Sequence, residues 1–230
     1  MSEAGDLKIV VTQDGPYQVL GGIPMRRQTI EANAQGNSWT WREGDAFSVQ
    51  QSYELCRCGQ SHDKPFCDGT HEEVGFDGTE TASRAPYLEQ AQELDGPAMR
   101  LTDAESLCAY ARFCDGFGQV WNLVEQTDNG EARELFQHEA MSCPSGRLVA
   151  WNKQTGAAEE PAFEPSIGIV EDPGINVSGP LWVRGGIPVE SADGQRYEVR
   201  NRVTLCRCGA SNNKPFCDGS HASINFTDVR

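Results

Sequence analysis

The sequence predicts an α+β protein in which two small β-rich repeats flank an α-rich middle module. Three observations favour this fold class. A segment at 55–71 recurs almost unchanged at 205–221, short β-type runs such as YQVL and RYEVRNRVTL lie before the copies, and the region between them has apolar residues at helical spacing. The domains expected from these observations are residues 1–82, 83–158 and 159–230.

The repeated segment carries four side chains suited to metal binding, at the same spacing in each copy. The first copy reads LCRCGQSHDKPFCDGTH and the second LCRCGASNNKPFCDGSH, which share the pattern C-x-C-x8-C-x3-H. Thiolate and neutral imidazole both bind iron and zinc well, so such a cluster indicates a metal centre. The candidate ligands are Cys56, Cys58, Cys67 and His71, called the first site, and Cys206, Cys208, Cys217 and His221, called the second site.

The order Cys-Asp-Gly-Ser/Thr-His resembles the CDGSH (NEET) iron–sulfur family. The resemblance implies that each set of four side chains binds a 2Fe-2S cluster. Members of that family are typically symmetric homodimers with a shared β-structure, so here the two NEET-like repeats would form an intramolecular pseudo-dimer. Zinc is the rival metal, although structural zinc sites usually pair cysteines as C-x2-4-C and not as C-x-C.

The repeat extends beyond the metal ligands. GPYQVLGGIPM at 15–25 matches GPLWVRGGIPV at 179–189, and the first copy has the longer segment between this landmark and its cysteines. The additional residues are expected around 31–45, as a hairpin extension or a loop. Each repeat of about 60 residues is barely large enough for a core of its own, which favours a monomer whose repeats pair across a pseudo-twofold axis. Two independent domains on a string are the alternative.

The middle module carries three further cysteines, in LCAYARFCDGFGQVW and MSCPSG. Their spacing and the final Cys-Pro resemble a divergent single-cluster ferredoxin, in which Ala111 stands where another cysteine of the C-x2-C-x2-C pattern would lie. The resemblance implies a third cluster, 3Fe-4S or 4Fe-4S, on Cys108, Cys114 and Cys143, called the middle site. Ordinary buried thiols are the alternative.

Two helices are predicted within the middle module. Thr102 followed by Glu105 has the form of a capping box at a helix start. Residues 132–141 have a helical pattern of apolar positions.

Composition excludes several classes of partner. The net charge is −15, which would repel nucleic acid and an anionic membrane. No apolar run approaches the length of a membrane-spanning helix, and the N-terminal residues 1–15 lack the features of a signal peptide. The nine cysteines are an odd number, which favours metal ligation over a disulfide framework. A cytoplasmic location is therefore expected.

Electron transfer through two 2Fe-2S clusters is the function expected from these features, with proton coupling through the histidines. Storage or transfer of iron–sulfur clusters is the first alternative, and a structural zinc-binding interaction module is the second. The sequence has no phosphate-binding glycine loop, nucleotide fingerprint or convincing nucleophile–base pair, so we do not expect an enzyme. The expected partners are redox or cluster-acceptor proteins whose identity the sequence does not indicate.

Overall fold

A computed structural model describes residues 7–228. Residues 1–6 and 229–230 lie outside this part. The signal-peptide expectation concerns residues 1–15, so part of it lies outside the described residues. The strands are β1 (Lys8–Val11), β2 (Tyr17–Leu20), β3 (Met25–Ala32), β4 (Ser38–Phe47), β5 (Ser52–Leu55), β6 (Gln92–Asp95), β7 (Met99–Asp103), β8 (Leu148–Asn152), β9 (Ala158–Glu159), β10 (Ser166–Asp172), β11 (Val177–Arg184), β12 (Val189–Glu190) and β13 (Arg202–Leu205). The helices are α1 (Thr70–Glu73), α2 (Tyr87–Gln90), α3 (Val120–Val124), α4 (Gly130–Ser142) and α5 (Ser220–Ser223), with 3-10 turns at Glu105–Leu107 and Phe113–Asp115.

Two of the three sheets contain strands of both repeats. In the first sheet the order is β12-β1-β2-β5, so the second repeat contributes an edge strand to the first. In the other the order is β13-β11-β10-β3-β4, so the first repeat contributes two strands to the second. Both junctions between repeats, β1–β12 and β10–β3, are parallel. The repeats therefore contact each other by reciprocal strand exchange and are not independent domains on a string.

The two junctions have matching registers. Ile9 pairs with Val189 at one junction, and Ile167 pairs with Met25 at the other. Met25 and Val189 are equivalent residues, because each follows the Gly-Gly-Ile-Pro landmark of its copy. The strand pairing thus relates the two repeats as the pseudo-dimer hypothesis requires.

One hydrophobic core spans both repeats. In β2, Tyr17 and Val19 face this core while the residues between them are partly exposed, as strand alternation dictates. Burial of apolar surface is worth about 25 cal/mol per Å², so each small repeat is stabilised by packing on the other. Fully buried members of the shared core include Ile9, Tyr17, Val19 and Leu55 from the first repeat, and Ile167, Leu181 and Leu205 from the second.

The additional residues of the first copy lengthen a hairpin. Strands β3 and β4 pair from Met25↔Phe47 to Ala32↔Ser38. Their equivalent in the second copy is the two-residue strand β12 and a short turn. The expected hairpin extension around 31–45 is confirmed.

The middle module is not α-rich, which corrects the sequence-based expectation. Its 83–158 region contains a four-stranded sheet of order β6-β7-β8-β9, against which α3 and α4 pack. The capping-box prediction is wrong because Thr102 lies inside β7, fully buried, where its Oγ1 bonds the Trp151 indole and the Tyr87 hydroxyl. The Thr102 hydroxyl therefore does not cap a helix, and Glu105 begins only a 3-10 turn.

The second predicted helix is confirmed as α4, which runs from Gly130 to Ser142. Its N-cap is Asn129, whose side-chain oxygen accepts hydrogen bonds from the backbone N–H groups of Glu131 and Ala132. At 13 residues it is the longest helix. Within residues 7–228, no helix has both the length and the apolar character needed to cross a membrane.

Candidate metal centres

The paired cysteines follow the last strand of each repeat. Cys56 and Cys58 come directly after β5, and their Sγ atoms lie 3.8 Å apart. Cys206 and Cys208 come directly after β13, with Sγ atoms 3.7 Å apart. In each copy the first cysteine N–H donates to the carbonyl of the proline of the following loop, at 2.8 Å. This bond closes the loop back onto the strand, so both thiols face the same side.

The third cysteine and the histidine of each site are joined by a short helical turn. Gly69 and Gly219 are the N-cap residues of α1 and α5, with φ of 90° and 86°, a region that favours glycine. The turn places residues four apart on one face. His71 Nδ1 lies 3.3 Å from Cys67 Sγ, and the equivalent distance at the second site is 3.4 Å.

Each site therefore presents two pairs of ligands, Cys–Cys and Cys–His. In a two-iron cluster each iron takes two ligands from the protein, so the donor chemistry and the pairing fit a 2Fe-2S group. No three Cys, His, Asp or Glu side chains in residues 7–228 converge as one metal ion would need.

Hydrogen bonds within each loop hold the ligands in place. Asp68 Oδ1 accepts from the N–H and hydroxyl of Thr70, and its Oδ2 accepts from the His62 N–H at 2.8 Å. These bonds lower the pKa of the Asp68 carboxyl, the Thr70 hydroxyl contributing most. Asp218 makes the same set of bonds with Ser220 and Asn212. The motif aspartates therefore hold the ligand loops by hydrogen bonds to the backbone and to neighbouring hydroxyls.

Burial is the main influence on the pKa values of Cys67, Cys217 and His221. Burial raises the pKa of the Cys67 and Cys217 thiols, so both stay protonated until a metal replaces the proton. Burial, helped by the charge of Arg207 and opposed by Asp218, lowers the pKa of His221 to about 4. The His221 imidazole is thus neutral at pH 7, the form that binds metals.

The two cysteine loops interlock across the pseudo-twofold axis. A Cβ on Gly59 would lie 2.5 Å from the carbonyl oxygen of Cys208, and a Cβ on Gly209 would lie 2.4 Å from that of Cys58. Such approach is possible only for glycine. The first and second sites are therefore direct neighbours. The sequence held a signal for this contact, a glycine after each Cys-Arg-Cys, but its partner could not be read from it.

Two further residues that sequence reasoning missed join the parts of the molecule. Tyr17, fully buried in the first repeat, donates to the carbonyls of Cys206 and Pro215 in the second. Arg202, fully buried in β13, donates to the Cys143 carbonyl at 2.7 Å and so holds the middle module on the second repeat. Both residues lie in β-type runs of the sequence. Such runs predict a strand but not the long-range hydrogen bonds of its side chains.

The structure brings the three middle cysteines together. Cys108 follows the first 3-10 turn, Cys114 lies in the second, and Cys143 caps the C-terminus of α4. All three line one small apolar pocket, together with Ala111. Burial and the neighbouring cysteines raise the pKa of the Cys114 thiol to about 12. Three thiols that line one pocket are the type of donor that iron–sulfur clusters take from proteins.

Comparison with known protein families matches the three regions of the chain that contain these cysteines and histidines. A family profile described as "Iron-binding zinc finger CDGSH type" matches residues 14–72 and 178–222. A second profile, "Divergent 4Fe-4S mono-cluster", matches residues 94–153. No curated protein and no solved structure matches the chain significantly. Residues 14–72 and 178–222 are thus similar to CDGSH-type iron-binding domains and residues 94–153 to divergent 4Fe-4S mono-cluster domains, and together these matches make the chain an iron–sulfur protein.

Proposed function

We propose that the protein is a one-electron carrier with a 2Fe-2S cluster in each of the first and second sites. The observation that carries the proposal is the interlocking of the two cysteine loops through Gly59 and Gly209. It makes the two ligand sets neighbours inside one chain. Adjacent centres allow an electron to pass from one cluster to the other within a single chain.

The middle site is proposed to hold a third cluster. The cavity lined by Cys108, Cys114 and Cys143 supports it, and so does the family match at residues 94–153. Three thiolates suit a 3Fe-4S cluster, and the family description favours 4Fe-4S with a non-cysteine fourth ligand. Cys108 and Tyr110 of this module contact Gly219 of the second site, which would place the third centre next to the second.

Bound clusters of this type supply reversible one-electron redox chemistry. The chain's own residues bury the paired cysteines of both sites and all four candidate ligands of the second site, where the His221 imidazole is neutral and stands in place of one thiolate. One neutral ligand in place of a thiolate should put the potentials between about −400 mV for plant-type ferredoxins and about +300 mV at the upper end of two-histidine sites.

Anaerobic reductive titration tests the carrier function. The purified protein should bleach in the visible in one-electron steps and regain its colour on reoxidation with no loss of iron. A Cys56→Ser plus Cys206→Ser variant should lose these steps from both sites. Irreversible loss of iron on the first reduction would contradict electron carriage.

Transfer of whole clusters to acceptor proteins is the second candidate. Partial exposure of Cys67 and His71 at the first site favours it, because an acceptor could reach that edge. Incubation of loaded protein with an apo-ferredoxin separates the candidates: cluster transfer moves iron and sulfide to the acceptor, while electron carriage leaves both on this chain.

A further inference from the structure

Although the first and second sites have identical ligands, their surroundings differ in charge. Arg57 and Arg207 lie between the paired cysteines and are each 2–3 % exposed. Arg57 donates to the carbonyls of Thr12 and Gly15, and Arg207 to those of Val170 and Gly179, so the two arginines occupy equivalent positions.

Only the second arginine is paired with carboxylates. Arg207 forms ion pairs with Glu171, at 3.1 Å, and with Asp228, both nearly buried. Glu171 is shared with the partly exposed Arg27. Arg57 has no carboxylate within 4 Å among residues 7–228; the acids that influence it, Asp14 and Asp77, are exposed and screened by water.

The sequence explains this difference. Thr12 is followed by Gln13, whereas the equivalent Val170 is followed by Glu171. Two residues after the matching phenylalanines, the first copy has Gly78 and the second has Asp228. The first site thus keeps a buried positive charge, and at the second site two buried negative charges offset it.

The two sites also differ in solvent access, because the second site is more enclosed than the first. Gly219 of the second site is covered by Cys108 and Tyr110 of the middle module, which lie 3.3 and 3.1 Å from where its Cβ would be. At the equivalent Gly69 nothing lies within 4 Å of that position. His221 and Cys217 are buried, whereas their counterparts in the first site are partly exposed.

We propose that the first site has the higher reduction potential of the two and that it forms the face that meets an external acceptor. The second site then passes electrons inside the molecule, next to the middle module. This proposal rests on the proposed electron-carrier function. An added electron is stabilised by a nearby unpaired cation and by water, and disfavoured by buried carboxylates in a low-dielectric surrounding. One electron passes from a low-potential one-electron carrier protein to an acceptor protein, and no covalent bond forms or breaks.

The rim of the first site indicates the chemistry of that acceptor. Asp63, Asp68, Glu72 and Glu73 are exposed around it. A protein with a basic surface beside its redox centre would be steered to this rim, and its rate of reduction should fall as salt is added.

Potentiometric titration of the loaded protein tests the order of the two sites. We expect two resolved midpoints. His71→Cys should lower the higher midpoint and His221→Cys the lower one, because a thiolate adds negative charge. A single shared midpoint, or the reverse assignment, overturns the proposal. Absence of any reducible iron–sulfur chromophore would instead refute the carrier function itself.

Exchange of the charged residue tests the cause. Asp228→Gly gives the second site the residue of the first, and should raise the lower midpoint toward the higher. Asp228→Asn keeps the size of the side chain and should shift the lower midpoint in the same direction. It replaces the glycine variant as the test if the glycine variant does not fold. Glu73→Gln, which removes an exposed charge at the first site, is the control and should shift the midpoint of that site less. An unchanged lower midpoint in the foldable Asp228 variant contradicts the proposal.

Release of iron to a chelator provides a readout independent of potential. The first site should lose its iron severalfold faster than the second. The His71→Cys and His221→Cys variants show which of the two release phases belongs to which site. Asn213→Ala removes the bond from the second loop to the Ser106 carbonyl, 2.8 Å long, and should speed release from the second site. Asp63→Ala, at the equivalent position of the first loop, is the matched control. Equal release from both sites in the wild type overturns the enclosure of the second site.

Discussion

Gly59 and Gly209 show how single residues decide the geometry of the two sites. Each lies at positive φ, 76° and 82°, and each abuts the backbone of the opposite cysteine loop. A side chain at either position would push the loops apart. Glycine after the Cys-Arg-Cys segment is therefore a packing requirement of the paired sites, in addition to a turn requirement.

Replacing Gly59 by alanine is expected to weaken both sites. The Cβ clash adds to a backbone cost of about 1–2 kcal/mol for a left-handed residue. Gly69→Ala is the control, because its φ is also positive but nothing lies within 4 Å of the new Cβ. Chemical unfolding should show a larger loss for Gly59→Ala, accompanied by iron loss at both sites. Equal losses of stability in the two variants would contradict the interlocking.

Glu139 is predicted to make stability depend on pH. It is fully buried in α4, its Oε1 accepts the Phe117 N–H at 2.8 Å, and burial raises its pKa to about 7. The folded protein therefore binds a proton that the unfolded chain releases near pH 4.5. The resulting stability is complete below about pH 4.5 and is lost as the pH rises through about 7.

Glu139→Gln keeps the acceptor and removes the charge. Its melting temperature should exceed that of the wild type at pH 8 and approach it at pH 5. Melting curves of both loaded proteins from pH 5 to 8 provide the measurement. A difference that does not change with pH would show that Glu139 is not the titrating group.

At the scale of elements, α4 connects stability to the middle site. Its N-terminus is capped by Asn129 and its C-terminus ends at Cys143, so fraying of the helix would loosen a ligand of the proposed third cluster. Asn129→Ala should cost about 1 kcal/mol of unfolding free energy. Asp128→Ala, exposed and one residue earlier, is the control. Equal effects of the two substitutions would rule out the cap.

The elements also show what the sequence could predict. The strands around each copy, the lengthened β3–β4 hairpin and α4 follow from local pattern. The family match covers the two regions that contain the eight candidate ligands of the first and second sites. The prediction of an α-rich middle module was wrong. Thr102 has the sequence position of a helix cap, but its hydroxyl bonds Tyr87 and Trp151 in the folded protein. Tyr17 and Arg202 could not be found locally, since their partners lie more than 50 residues away in the chain.

At the scale of the molecule, reciprocal strand exchange predicts a monomer that unfolds as one unit across both repeats. β12 completes a sheet of the first repeat, and β3 and β4 complete a sheet of the second, over one common core. Light scattering should give a mass near 25.2 kDa, and fluorescence and visible absorption should report the same unfolding midpoint. A stable dimer, or separate midpoints for the two repeats, would contradict the intramolecular pairing.

The iron and acid-labile sulfide content of protein purified without oxygen tests most directly that the repeats hold 2Fe-2S clusters. Wild type should contain about four iron and four sulfide per chain in the first and second sites, and more if the middle site is filled. A Cys206→Ser variant should lose about two of each. Stoichiometric zinc without sulfide in the wild type would contradict the assignment.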